Sequence, residues 1–331
     1  MHLRDLGSTG LKVSPLGLGL AALGRPGYIN LGHADDLKNN YKVKAMEQNT
    51  HEVLDQAWDF GVRYFDVAQS YGKAESFLSS WLKKRKIKPD EVAVGSKWGY
   101  KYTANWKVEV QDHEIKDHSA ELLSQQWEDS KTKLDPYLRL YQIHSATQES
   151  GVLNNQEVLK KLHLIKQSGT FIGLSVSGPN QNRTILEALD IKFDGVRLFD
   201  AVQATWNLLE QSATPALQAA RKEGVGVIIK EALANGRLTD KNLEPDFEDK
   251  IYLFEFHEKQ LGTTIDALAL SAALNQPWAD VVLSGAATSD QLKSNIKAIT
   301  VNWTDQMDSE VSFMKEESKT YWKIRSELPW N

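Results

Sequence analysis

The chain has no cysteine, which excludes disulfides, thiolate nucleophiles and thiolate metal sites. It has no run approaching 18 apolar residues, so no helix is expected to cross a bilayer. Its opening residues, Met1-His2-Leu3-Arg4-Asp5, carry no apolar core of the kind a secretory signal needs. No basic run exceeds Lys83-Lys84-Arg85-Lys86, which reads as the solvated end of a helix. A net charge of −5 keeps the chain soluble and gives no hint of nucleic acid or anionic membrane as a partner. No low-complexity tract or Pro/Gly/Ser linker divides residues 1–331, so one cytoplasmic domain acting on small molecules is expected, in an oligomeric state the sequence leaves open.

What the sequence does contain is an alternation. Eight short runs rich in Val, Ile, Phe and Leu are separated by longer segments of helical period. They are Val13–Leu18, Tyr64–Val67, Val92–Lys97, Leu138–His144, Phe171–Val176, Ala201–Ala204, Val225–Ile229 and Val281–Ser284. Between them, Thr50 is placed to cap a helix with Val53, Leu54 and Ala57 on its apolar face and Gly61 as its stop. Val158, Leu159, Leu162 and Ile165 fall at helical spacing before Gly169. Thr214-Pro215 reads as a cap followed by a first-turn proline, with Gly224 ending the segment. Eight such units favour a (β/α)₈ barrel, with an open doubly wound sheet as the alternative. Residues 2–13 read as a β-hairpin able to plug the barrel floor. Residues 25–47 form a long polar insertion over one mouth. The tail from Asp308 to Glu327 reads as an additional C-terminal helix.

In a barrel the reacting groups sit where strands end. Three runs carry an ionisable residue at or next to their last position, Asp66, Lys97 and His144, and Tyr71 follows Asp66 by five positions. These four suit proton transfer to a carbonyl oxygen. A free phenol, with a pKa of about 10, is a poor acid near neutrality; a nearby ammonium lowers that value and an aspartate can hold the ammonium. No serine triad or metal site is suggested. Spacing alone points to a catalytic pocket without fixing its reaction.

Three segments then resemble the aldo-keto reductase family, in its order and at similar separations. Val62-Arg63-Tyr64-Phe65-Asp66-Val67-Ala68-Gln69-Ser70-Tyr71-Gly72 looks like its active-site segment. Gly95-Ser96-Lys97-Trp98-Gly99 resembles its lysine strand, and Leu140-Tyr141-Gln142-Ile143-His144 its histidine strand. The resemblance implies a (β/α)₈ barrel and hydride transfer between a nicotinamide dinucleotide and an aldehyde, ketone or sugar. It makes Tyr71 the general acid, Lys97 and Asp66 the groups that lower its pKa, and His144 the residue that positions the carbonyl. Within the same class, a sugar or polyol dehydrogenase working mainly in oxidation is the alternative. From another class comes a regulatory subunit that senses nicotinamide.

The resemblance also assigns cofactor contacts. Gln203 would bind the nicotinamide amide and Trp206 would stack on its ring, in Val202-Gln203-Ala204-Thr205-Trp206-Asn207. Ser175 would supply a hydroxyl. Lys230 and Leu233 flank Glu231-Ala232, which replaces the family's more usual Ser-Pro pair, so Glu231 needs Lys230 or Arg237 to offset it beside a pyrophosphate. Gly285, Ser289, Gln291 and Asn295 fall in a segment resembling the one that holds the adenosine phosphate, with Ser289 near a helix start. NADP(H) is the family habit and NAD(H) the alternative, because Ala286 and Gln291 stand where many members carry Lys or Arg.

Two further signals carry less. Gly17-Leu18-Gly19-Leu20-Ala21-Ala22 fits a dinucleotide loop, but Gly24, Pro26 and Gly27 interrupt the helix such a loop requires. His113-Glu114 with His118 is one residue too long for the zinc-protease motif. Ten tryptophans are many for this length. Trp98 is expected at the pocket mouth beside Lys97, with Tyr28, Tyr102 and Trp106 in loops near it.

Overall fold

The computed structural model describes residues 1–331, the side chain of Asp246 excepted. Eight parallel strands close into a barrel in sequence order. They are β1 (Leu16–Gly19), β2 (Tyr64–Asp66), β3 (Ala93–Trp98), β4 (Leu138–Ala146), β5 (Phe171–Val176), β6 (Ala201–Thr205), β7 (Gly226–Lys230) and β8 (Val281–Ser284). Closure comes where β8 pairs with β1, Val282 opposite Leu16, so no strand edge is left and the open-sheet alternative is excluded. Each run reads as continuously apolar because both faces of its strand are covered, by the barrel interior and by the helix layer. The first run splits. Val13 belongs to the hairpin and Leu16 to the barrel, and Pro15, which has no N–H to donate, marks the break.

The hairpin seals the floor. Arg4–Asp5 pairs with Lys12–Val13, and Leu6, Leu11 and Val13 pack beneath Tyr64, Leu140, Ile228 and Val281. Each such side chain contributes about 1.5–3 kcal/mol on burial. Gly95 completes this layer, since a Cβ there would lie 2.4 Å from the Tyr64 hydroxyl that fills the barrel centre.

Helix ends follow the sequence with two corrections. The Thr50 helix begins upstream, at Val43, and Thr50 lies buried inside it, its hydroxyl bonded to the carbonyls of Met46 and Leu23. Thr214 is the first helical residue rather than the cap, and its hydroxyl instead accepts from the Trp206 indole and donates to the Gln211 carbonyl. The tail forms two helices, Asp305–Val311 and Ser318–Glu327, broken at Lys315-Glu316-Glu317. Both pack through Met307, Val311, Tyr321 and Trp322 onto the segments around Leu238, Phe254 and Leu268. Among the described residues, no helix is long and apolar enough to cross a membrane.

Candidate active site

Period-two alternation aims one side chain per strand end into the barrel mouth. Asp66 on β2 and Lys97 on β3 point inward and form a buried ion pair, and the ammonium also donates to the Val67 carbonyl at 3.0 Å. The second Asp66 oxygen accepts from Gln203 on β6 at 2.9 Å, from Gln142 on β4 at 3.3 Å and from the Tyr64 hydroxyl at 3.4 Å. Three neutral donors and one cation thus satisfy a carboxylate that is only 2% exposed, which burial would otherwise penalise heavily. Burial lowers the Lys97 pKa and Asp66 works against that shift.

His144 sits at an irregularity where the β4–β5 register shifts between Ile143 and Ala146, and Ser145 adopts a left-handed backbone (φ 53°). Such a bulge re-aims a side chain at a strand end. Its ring lies edge-on to Tyr71 (centroids 5.4 Å apart) and to Tyr100 (4.9 Å), with Nδ1 3.4 Å from the Ser70 hydroxyl. Burial first, then the charges of Lys97, Arg25 and Lys230, push the His144 pKa well below its ordinary value, so the imidazole is neutral. Its Nε2 has no partner among the described residues.

Tyr71 stands one turn beyond β2 with its hydroxyl free of protein partners among the described residues. The Lys97 ammonium lies 5.0 Å from its ring centroid and the Arg25 guanidinium 5.3 Å. The expectation that Lys97 and Asp66 together lower the Tyr71 pKa needs correction. Burial, then the Asp66 carboxylate, raise it well above its ordinary value, and the Arg25 guanidinium offsets this only in part. Tyr71 therefore holds its proton at neutral pH.

A cleft of about 550 Å³ runs from Tyr71 and His144 along the ends of β6, β7 and β8 to the helix Ser289–Ile296. Of the residues expected to hold a cofactor, Gln203, Lys230, Leu233, Gly285, Gln291 and Asn295 line it. Three do not. Trp206 points outward from β6, packed edge-on against Trp278 at 5.5 Å with its indole N–H on Thr214, so it cannot stack on a ring in the cleft. Ser175 is buried, its hydroxyl accepting from the Ser145 N–H at 2.8 Å. Ser289 lies outside the lining; the cap is Thr288, whose hydroxyl already accepts from the Gln291 N–H. Trp98 is likewise buried in the helix layer, because Lys97 takes the inward position on β3.

The remaining lining fits a dinucleotide. Gln203 spends its amide N–H on Asp66 and leaves its Oε1 toward the cleft without a protein partner among the described residues. Asn235 is buried with an unpartnered amide oxygen on the lining. A Cβ at Gly285 would touch nothing within 4 Å, so the space before it belongs to the cleft. Glu231 is offset chiefly by Arg325, at 2.6 Å, with Lys230 at 3.8 Å, whereas Arg237 pairs with Glu316. Burial works to raise the Glu231 pKa, but Arg325, Lys230 and its hydrogen bonds bring it to about 2. Burial lowers Lys230 to about 8.

Several site residues escaped sequence reasoning. Arg25, 3% exposed, pairs with Glu114 at 2.7 Å and faces Trp330 at 4.8 Å. Trp330 stacks on His113 (4.0 Å, 7°), and Asn331 exchanges two backbone hydrogen bonds with Tyr28. The polar insertion and the tail thus wall the Tyr71 end together, and Tyr28 lines it as expected. Tyr102 and Trp106 stand outside the lining; Trp106 packs instead on the Leu37–Met46–Phe77 cluster. Polar surroundings and sequence distance hide these contacts, although Arg25 opens the polar insertion of residues 25–47.

Comparison with known proteins agrees with this geometry. The model of the aldo/keto reductase family matches residues 15–312. An uncharacterized oxidoreductase, YqkF of Bacillus subtilis, is 24% identical over 90% of this chain and 91% of its own. The L-galactose dehydrogenase of Arabidopsis thaliana is 25% identical over 94% and 92%. The holo form of aldo-keto reductase AKR11C1 from Bacillus halodurans superposes with a TM-score of 0.71 at 20% identity, covering 96% of this chain and 97% of that one. With its barrel closed and its family matched along most of its length, the chain belongs to the aldo/keto reductase family, enzymes that reduce carbonyl groups with a nicotinamide dinucleotide.

Proposed function

We propose that Tyr71, His144, Lys97 and Asp66 carry the reduction of a small aldehyde, ketone or sugar carbonyl. The observation that supports this most is the convergence of Tyr71, His144 and Asp66 at one end of a cleft that also presents Gln203, with Lys97 paired to Asp66 behind them. The dinucleotide, when bound, supplies the hydride. Gln203 Oε1 suits a carboxamide, Lys230 with the Leu233–Gly236 turn and Gly285 suit a diphosphate, and the end of the cleft beside Gln291 and Asn295 has room for the adenosine half. His144, neutral and open at Nε2, orients the carbonyl oxygen toward the Tyr71 hydroxyl. Tyr71 gives its proton to the alkoxide oxygen, a stronger base than the phenolate left behind, and the Lys97 ammonium lies 5.0 Å from the centroid of that ring. A phenol that keeps its proton near neutral pH is in the form that reduction requires.

The sequence leaned toward NADP(H) by family habit; the charges at the far end of the cleft argue for NAD(H). A cytoplasmic enzyme acting on small molecules alone completes the proposal, since a net charge of −5 does not attract polyanions.

The test is initial-rate measurement of NADH and NADPH consumption over a panel of aldehydes, ketones and sugars near pH 7, and of the reverse reaction at alkaline pH. Carbonyl-dependent consumption faster than the reverse reaction is the expected result. Dinucleotide binding without turnover in either direction would replace the reading with the regulatory one.

A further inference from the structure

We infer that the cleft selects NAD(H) over NADP(H), with Asp36 as the residue that reads the adenosine ribose; this rests on a dinucleotide occupying the cleft. Hydride transfer requires the nicotinamide beside Tyr71 and His144, so the adenosine half lies at the other end, on the helices that follow β7 and β8. Asp36 enters that end from the insertion. One of its carboxylate oxygens is paired with Lys241, and the other accepts from Gln291 Nε2 at 2.8 Å. Gln291 cannot turn away easily, because its Oε1 accepts from the Ala287 N–H at 2.8 Å. The carboxylate is thus held in place while each oxygen keeps acceptor capacity, the arrangement that suits the two hydroxyls of an unmodified ribose.

A 2′-phosphate meets the opposite conditions. It carries roughly −1.5 to −2 charges near neutrality and needs cations or N–H donors. That end of the cleft is lined by five carboxylates, those of Asp36, Asp240, Glu258, Asp266 and Asp290, against the Lys241 cation. Lys241 is already paired with Asp36, and Lys293 lies outside the lining beside Asp290. Like charges at close range disfavour the phosphate dianion.

Direct binding separates the possibilities without any substrate. The full chain is titrated with NADH and with NADPH, followed by quenching of tryptophan fluorescence, for wild type, Asp36→Asn and Asp36→Ser. The expected wild-type result is NADH bound about tenfold or more tightly than NADPH, with that ratio falling to about threefold or less in both variants. Because the discrimination is electrostatic, the wild-type ratio should also narrow between about 0.05 and 0.5 M salt, a check that stands even where a variant fails to fold. NADPH bound as tightly as NADH by wild type, or a ratio untouched by both substitutions and by salt, overturns the selection while the reductase reading stands. Failure of both dinucleotides to bind overturns the reading beneath it as well.

Discussion

At the floor of the barrel, Leu6, Leu11 and Val13 meet Tyr64, Leu140, Ile228 and Val281 in an apolar layer. At the mouth, the same strands present Asp66, Lys97, Gln142, His144 and Gln203, all nearly as buried but every one polar. Burial is therefore not what separates the two ends. The floor gains stability from each side chain removed from water, whereas the mouth holds charges whose desolvation is offset by one ion pair and by hydrogen bonds from two amides and a phenol hydroxyl. Stability and chemistry have been segregated along a single set of strands, as parallel barrels allow because their loops at one end are free to vary.

That contrast can be broken most severely at the mouth. Lys97→Met leaves Asp66 without its cation, and about 3–5 kcal/mol of folding stability should be lost along with turnover. Urea unfolding checks the first and steady-state rates the second; unchanged stability would mean the three neutral donors suffice. At the floor, Leu6→Ala should cost about 2–5 kcal/mol and leave kcat unaltered in the folded fraction. A proportionate fall in kcat would show that the two ends are coupled.

A third test concerns the wall that the tail builds. Glu231 is held at about 2 in the folded protein against an ordinary 4.5. Between those values the unfolded chain binds a proton that the folded one refuses. The contribution, about 3 kcal/mol, is therefore complete above pH 4.5 and lost as pH falls toward 2. Glu231→Gln should flatten the dependence of urea midpoints on pH below 4.5. An identical slope in the variant would show that the Glu231–Arg325 pair adds nothing.

The floor and the strand ends were legible in the sequence, and the walls of the cleft were not. Strands covered on both faces leave continuous apolar runs, so all eight appear. Asp66, Lys97 and His144 stand out because three of those runs carry an ionisable residue at or next to their last position. Side-chain direction was harder. Trp98 and Trp206 were expected in the pocket, yet parity from the inward Lys97 and Gln203 turns both outward. Thr50 passed for a cap because the polar stretch before it hides a helix whose buried member is Met46. Arg25, Arg325 and Trp330 act through pairings between segments far apart in the chain, such as Arg325 with Glu231, that no local pattern records.

In the proposed reaction Tyr71 supplies the proton while other residues bind the cofactor. It is tested most directly by Tyr71→Phe, with single-turnover reduction and dinucleotide affinity measured on the same preparation. A loss of about a hundredfold or more in the chemical step is expected, with affinity for the dinucleotide nearly unchanged. Retained turnover, or equal losses in rate and in dinucleotide binding, would contradict it.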